Sequence, residues 1–276
     1  MPARSKIGDA PKRREDLRFV TGRGRYLDDI AFDGLVHAVI LRSPHAHARI
    51  AAIDATAARQ APGVLAVLTA AEIAQDGLLP LRPGAETNTV TGERFAFEPQ
   101  PLLAQDKVRH VGEAVALVVA ETRDQALDAA ELVAVDYAAL PAVATPEAAR
   151  APGAPLVTDK APANLCLEWC HGDSVAVAKA FGHATHTVTI RLDNHRIVTN
   201  PMEPRGVVGV YDKMTGRYTA YVSAQSIHAT RDFTARSLGV EPSQVRFVAP
   251  DVGGGFGAKN FVYPEHPLLL WATAAH

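Results

Sequence analysis

Residues 251–260 read DVGGGFGAKN, and four glycines fall within five positions, broken only by Phe256. Glycine reaches any φ and ψ but loses more entropy on folding than other residues, so a cluster marks a tight turn or a close approach to backbone. A strand-like run, QVRFVAP (244–250), precedes it, and a helix-like stretch, YPEHPLLLWATAAH (263–276), follows. Three uses fit: a turn for a nucleotide phosphate, a cradle offering N–H groups to another anionic or oxo-bearing group, or a plain connecting loop. Gly253, Gly255 and Ala258 satisfy G-x-G-x-x-A, the dinucleotide fingerprint. That reading requires an acidic residue about twenty positions on and a further strand after the helix, and neither follows in this sequence. An NAD-dependent dehydrogenase is therefore a distant alternative.

Composition narrows the field. The chain has 276 residues, 47% hydrophobic and 21% charged, with a formal net charge of -2. This is a globular balance, enough for one or two domains of roughly 100–200 residues each, with a sizeable core. It carries no basic footprint for nucleic acid. The opening MPARSKIGDAPKRRED lacks the apolar stretch of a secretory signal, and no apolar run is long enough to span a membrane. The cysteines, Cys166 and Cys170, are too few for a disulfide scaffold or a four-thiolate iron–sulfur cluster. A cytoplasmic protein with buried, structural thiols is expected; adjacent His171 supplies no coordination geometry.

Periodicity sets the order of elements. LVHAVILRS (35–43), ARIAAIDA (48–55) and VLAVLT (64–69) read as strands, with a short helix TAARQA (56–61) stopped by Pro62-Gly63. Residues 76–101 have no period and form a surface excursion. AVALVVAE (114–121) is a continuous apolar run and hence a buried strand. TRDQALDAAELV (122–133) is a helix capped by Thr122, and AVDY returns as a strand. The Pro- and Ala-rich stretch 141–157 is linker chemistry. Beyond it, DSVAVAKAFG (173–182) predicts a helix with an Asp cap and a Gly stop, and ATHTVTIRL (184–192) alternates as a half-buried strand does. Residues 206–224 predict a hairpin turning at KMTG, and SIHATRDFTARSLG (226–239) an amphipathic helix ended by Gly239.

At this level the sequence resembles a known family. VGGGFGAK, with SAQSIHATRD (223–232) and NPMEPRG (200–206) upstream, is similar to the molybdenum-binding large subunit of the xanthine dehydrogenase family, particularly its aerobic carbon monoxide dehydrogenase branch. DLRFVTGRGRYLDDI, HAVILRSPHAHARI, APGVLAVLTAAEI and ELVAVDYAALPAV resemble the family's α/β hammerhead domain. The resemblance runs from about residue 12 to about 271. It implies an α+β fold: a hammerhead domain over 12–145, a linker over 146–163, and over 164–276 the N-terminal portion of a mixed α/β molybdopterin-binding domain. It also implies a molybdenum hydroxylase acting on a small aldehyde, an N-heteroaromatic or carbon monoxide. The implied cofactor is molybdenum on molybdopterin, in its cytosine dinucleotide form. Electrons would pass to [2Fe-2S] clusters on a small partner subunit and to FAD on a medium one.

Residue by residue, the resemblance implies that Gln225 donates its side-chain amide to an oxo ligand of molybdenum, a task suited to a neutral NH₂ donor. Gly254, Gly255, Phe256 and Gly257 match the loop at the cofactor's metal end, with Phe256 near the substrate funnel. On this view the glycines clear space for the cofactor. Asn260 stands where the purine-oxidising branch carries an acidic residue, which argues against purines. Asn194-His195 and Ala114 also depart from the family pattern without visible bearing on chemistry. Relatives continue much further and carry a late glutamate as general base, so this chain alone is expected not to turn over substrate. A non-catalytic remnant or assembly module of the same fold is the alternative.

Other candidates have plainer readings. His45 and His47 share one face of a strand, but no third ligand accompanies them. Glu203 and Arg205 fit a buried ion pair or hydrogen bonds that fix the chain. Lys259 fits either an anionic cofactor or a solvated surface.

Overall fold

A computed structural model describes residues 7, 8, 10, 12–88, 92–169 and 171–275, so Cys170 lies outside the described residues. The chain forms two compact units, Val36–Thr199, and Met1–Leu35 together with Asn200–His276. The second unit opens with the short helix α1 (Asp16–Val20).

The unit Val36–Thr199 contains β1 (His37–Arg42), β2 (Ala48–Asp54), α2 (Thr56–Arg59), β3 (Val64–Leu68), α3 (Ala70–Gln75), β4 (Lys107–Val108), β5 (Ala114–Ala120), α4 (Arg123–Glu131), β6 (Ala134–Ala139), α5 (Pro146–Arg150) and α6 (Ser174–His183). Two antiparallel sheets result, ordered β1-β5-β3 and β4-β2-β6. Strand β5 is buried at every residue because it is covered on both faces. Val118 packs with Ala58, Ala129 and Ala130 of α2 and α4, while Val115, on the opposite face, packs with Ala48 and Val108. The continuous apolar run therefore reports a central strand.

Helix α4 starts where Thr122 predicts. Thr122 Oγ1 accepts the Gln125 N–H at 3.2 Å, and Gln125 Oε1 accepts the Thr122 N–H at 3.0 Å, satisfying two otherwise orphaned donors. The same capping box at Thr69 and Glu72 starts α3, a helix that sequence periodicity did not reveal. Within the expected linker, Thr145 caps the one-turn helix α5.

One expected element is missing. Residues 184–192 alternate as a strand should, but they form no strand, and residues 171–199 are exposed throughout. A strand requires ladder partners for its N–H and C=O groups, and no described strand pairs with this segment.

The second unit continues with β7 (Val207–Asp212), β8 (Arg217–Val222), α7 (Ile227–Leu238), β9 (Val245–Val248) and α8 (Glu265–Ala275). β7 and β8 form the expected hairpin, turning at Gly216 with φ +67°. β8 and β9 are parallel and joined through α7, which stops at Gly239 in the left-handed region. Ala220, Val222, Ala235, Val245, Phe247 and Leu270 form one core between the sheet and its helices. This connectivity brings the segment after β8 and the glycine loop after β9 to the carboxyl ends of adjacent parallel strands, where open sheets place ligands. The helix α8 begins only at Glu265. The glycines therefore do not open a helix, and the dinucleotide-fingerprint reading loses its structural context.

Candidate active site

Gln225 lies in the short connection between β8 and α7, and its main chain donates to Lys259 O at 2.8 Å. Its side-chain Oε1 accepts the Gly257 N–H at 2.9 Å and the Lys259 N–H at 3.3 Å. Both partners are obligate donors, so the carboxamide has one permitted orientation: oxygen into the loop, Nε2 away from it. Gln225 is an exposed residue. The loop thus presents a fixed, neutral NH₂ donor at the surface of the unit.

The glycines have individual causes. A Cβ on Gly255 would stand 2.5 Å from Gln225 Cδ, and one on Gly253 would stand 2.5 Å from Glu203 Cβ. Gly254 and Gly257 take φ of +96° and +85°, where an L side chain is strained. The expectation that the cleared space belongs to a cofactor is therefore modified: Gly253 and Gly255 make room for the chain's own Glu203 and Gln225. Phe256 is held at φ +48°, an uncommon conformation for a non-glycine residue, and the residue is 70% exposed. The N–H groups of Gly254, Gly255 and Phe256 have no hydrogen-bond partner among the described residues. Three successive backbone donors beside a fixed amide suit an electronegative ligand.

Beneath the loop lies a charged cluster. Glu203 Oε2 accepts from Ser223 Oγ at 2.5 Å, from Gly253 N–H at 2.8 Å and from Lys259 Nζ at 3.0 Å, while Oε1 accepts from Leu27 N–H at 3.2 Å. Lys259 Nζ also donates to Ser223 Oγ at 2.6 Å. Burial pushes the Glu203 carboxyl up, but the donors from Ser223, Gly253, Lys259 and Leu27 outweigh it, and the group is held below its ordinary range. The Lys259 side chain is fully buried, contrary to the solvated reading, and its charge is matched within the chain by Glu203. Arg205 joins a different pair: it stands 3.6 Å from Glu265, with its guanidinium 3.8 Å from the centre of the Tyr263 ring.

A second anchor was invisible in the sequence. Arg18 grips Asp251 with both terminal nitrogens, and Asp251 also accepts the Arg25 N–H at 2.7 Å. The Arg18 hydrogen bonds, then that of Arg25, lower the Asp251 carboxyl. This ties residues 16–27 to the start of the glycine loop. The signal was an aspartate opening a glycine run, but its partner lies 233 positions away.

The remaining candidates are structural. His47 is buried with Nδ1 2.8 Å from Pro141 O, and the His45 ring packs against Tyr137. Cys166 is exposed, which corrects the expectation of buried thiols: its stretch lacks the apolar cover that encloses β5. No group of three or more His, Cys, Asp or Glu that could hold a metal occurs among the described residues. Asn260 is exposed. No described helix is long and apolar enough to cross a membrane.

Comparison with known proteins extends these observations. Residues 21–141 match the aldehyde oxidase and xanthine dehydrogenase a/b hammerhead domain, and residues 157–276 match the molybdopterin cofactor-binding domain. The chain is 40% identical to the nicotine 6-hydroxylase large subunit of Paenarthrobacter nicotinovorans, over 98% of this chain and 32% of that protein. It is 36% identical to the carbon monoxide dehydrogenase large chain of Hydrogenophaga pseudoflava, over 94% of this chain and 32% of that one. Its fold matches quinoline 2-oxidoreductase from Pseudomonas putida 86 with a TM-score of 0.84 at 35% identity, covering 98% of this chain and 33% of the other. The chain thus spans about a third of the length of these relatives.

Proposed function

Because the chain belongs to the molybdopterin-binding large-subunit family of xanthine and carbon monoxide dehydrogenases, we propose that its glycine loop and Gln225 form the metal-facing edge of a molybdenum cofactor site. The observation that carries this reading is the forced orientation of the Gln225 carboxamide. Two backbone donors consume its oxygen, so the NH₂ is presented where an oxo ligand of the cofactor can accept it. Backbone N–H groups of Gly254, Gly255 and Phe256 would hold neighbouring electronegative atoms, and the exposed Phe256 ring would border the substrate path. The cofactor, in the cytosine dinucleotide form, would supply the two-electron oxidation. On this reading the residues around the glycine loop bind and orient the cofactor. Glu203, the carboxylate under the loop, has both oxygens occupied by four donors that lower its basicity, which suits a structural anchor better than a general base. On this reading the chain by itself would not turn over substrate.

The complete protein would oxidise a small aldehyde, an N-heteroaromatic or carbon monoxide. The N-heteroaromatic class comes first, because the 40%-identical relative is a nicotine hydroxylase and the fold matches a quinoline oxidoreductase. Subunits carrying FAD and [2Fe-2S] clusters would accept the electrons, in keeping with relatives named as large subunits or chains. The test is to produce the protein at its relatives' full length with its partner subunits. Molybdenum content and turnover are then measured for the wild type and for Gln225→Ala. Loss of one preorganised donor of this kind costs about 10²–10³ in kcat, with molybdenum retained. An unchanged kcat would overturn the role of Gln225, and absence of molybdenum from the wild type would favour the non-catalytic module.

A further inference from the structure

We propose that Lys259, Glu203 and Ser223 are positioning residues, a buried ionic triad that locks the glycine loop so that the Gln225 carboxamide keeps a single orientation. The functional consequence rests on the reading of Gln225 given above; the structural lock does not.

The geometry connects the two layers through one residue. Lys259 contributes its ammonium to the triad and its main chain to Gln225: its C=O accepts the Gln225 N–H at 2.8 Å, and its N–H reaches Gln225 Oε1 at 3.3 Å. Glu203 closes the other end of the loop, where it accepts the Gly253 N–H at 2.8 Å and its own N–H donates to Gly253 O at 3.2 Å. Ser223 joins them, donating to Glu203 and accepting from Lys259, only two residues before Gln225. The loop is thus pinned at Gly253 and at Lys259. Between those pins lie three residues at positive φ: Gly254, Phe256 and Gly257. A segment in sparsely populated conformations persists only where its surroundings over-determine it. The triad supplies that constraint from below, while the Oε1 of Gln225 supplies it from beside the loop.

The choice of an ionic lock also has a physical reason. A charged hydrogen bond is about twice as strong as a neutral one, and a fully buried ammonium keeps its partners because it has no water to turn to. Lys259 has no access to solvent and two partners at 2.6 and 3.0 Å. It therefore holds the loop in one place, whereas an apolar residue of similar volume would fill the same space without fixing the direction of the chain.

The test uses the full-length protein with its cofactor and compares three proteins: wild type, Lys259→Met, and the double variant Lys259→Met/Glu203→Gln. The single variant strands a buried carboxylate, and a lowered Tm is expected. The double variant removes both charges and should recover part of that Tm, since the glutamine oxygen can keep the Ser223 and Gly253 donors while its NH₂ faces the Leu27 N–H. Hydrogen exchange is then read at the amides of Gln225, Gly257 and Lys259, the three that bridge glutamine and loop. Exchange there should rise at least tenfold in the double variant, while that of Ala220 and Val222 in β8 stays as in the wild type. Turnover should fall about 10²-fold in kcat with KM changed less than threefold, the pattern of a misplaced donor. Wild-type exchange at all three bridging amides in the double variant would overturn the proposal, as would a kcat that recovers together with Tm. If Gln225→Ala alone leaves kcat unchanged, the role of Gln225 fails, and the exchange data still decide whether the triad locks the loop.

Discussion

Replacing Gly255 with alanine tests the site at its tightest point. Gly255 is not at positive φ, so its φ does not bar alanine. The obstacle is the side chain opposite: the new Cβ would lie 2.5 Å from Gln225 Cδ, 2.6 Å from Oε1 and 2.7 Å from Cγ. Carbon atoms rest at about 3.5–4.0 Å, so Gln225 must retreat by about 1 Å. Its accepted bonds from Gly257 and Lys259, at 2.9 and 3.3 Å, do not survive such a shift. Two neutral hydrogen bonds at about 0.5–1.5 kcal/mol each give a destabilisation of about 1–3 kcal/mol. Denaturant unfolding of the chain, followed by circular dichroism, measures it. In the full-length holoprotein the same change should lower kcat about as much as Gln225→Ala does. Adding Gln225→Ala to Gly255→Ala removes the clash, so stability returns to that of Gln225→Ala alone while activity stays lost. Wild-type stability and turnover in Gly255→Ala would refute the reasoning, because the carboxamide would then not be held against the loop.

Further outcomes follow from other parts of the molecule. His266 is buried and neutral, with burial pushing its imidazole down from 6.5 to about 4, opposed by Glu265 and reinforced by Arg205. The unfolded chain binds this proton first, so stability is complete above about pH 6.5 and falls by about 3 kcal/mol as pH drops towards 4; His266→Gln should flatten that slope in pH-dependent melting. Asp251→Ala frees residues 16–27 from the loop. Because Arg18 is 41% exposed, the cost should stay below about 1 kcal/mol, with faster hydrogen exchange at Arg25 as the direct readout. Thr122→Ala removes the cap of α4 and should cost about 1 kcal/mol in chemical denaturation. Residues 184–192, exposed here, should gain exchange protection in the protein at its relatives' length if their alternation encodes a strand.

Features settled by neighbours a few residues apart were legible from the sequence. Thr122 and Gln125 set the start of α4, the apolar run 114–120 marked the strand covered on both faces, and Gly216 and Gly239 closed a turn and a helix at positive φ. Segment 184–192 shows where that legibility ends. Its alternation is a local fact, but a strand is a contract between two segments, and no described strand pairs with it. The candidate site falls under the same rule. Its location could be read from the glycines and from the resemblance around Gln225, yet the reason for each glycine could not. Gly253 is small because of Glu203, 50 positions earlier, and Gly255 because of Gln225. Lys259 has the residue type most often found in solvent, and only partners 56 and 36 positions away make its burial tolerable. A glycine-rich run is usually taken as a sign of what binds to it. Here half of its glycines record what lies behind it, so a ligand is better sought through the donors left over: the Gln225 amide and the N–H groups of Gly254, Gly255 and Phe256.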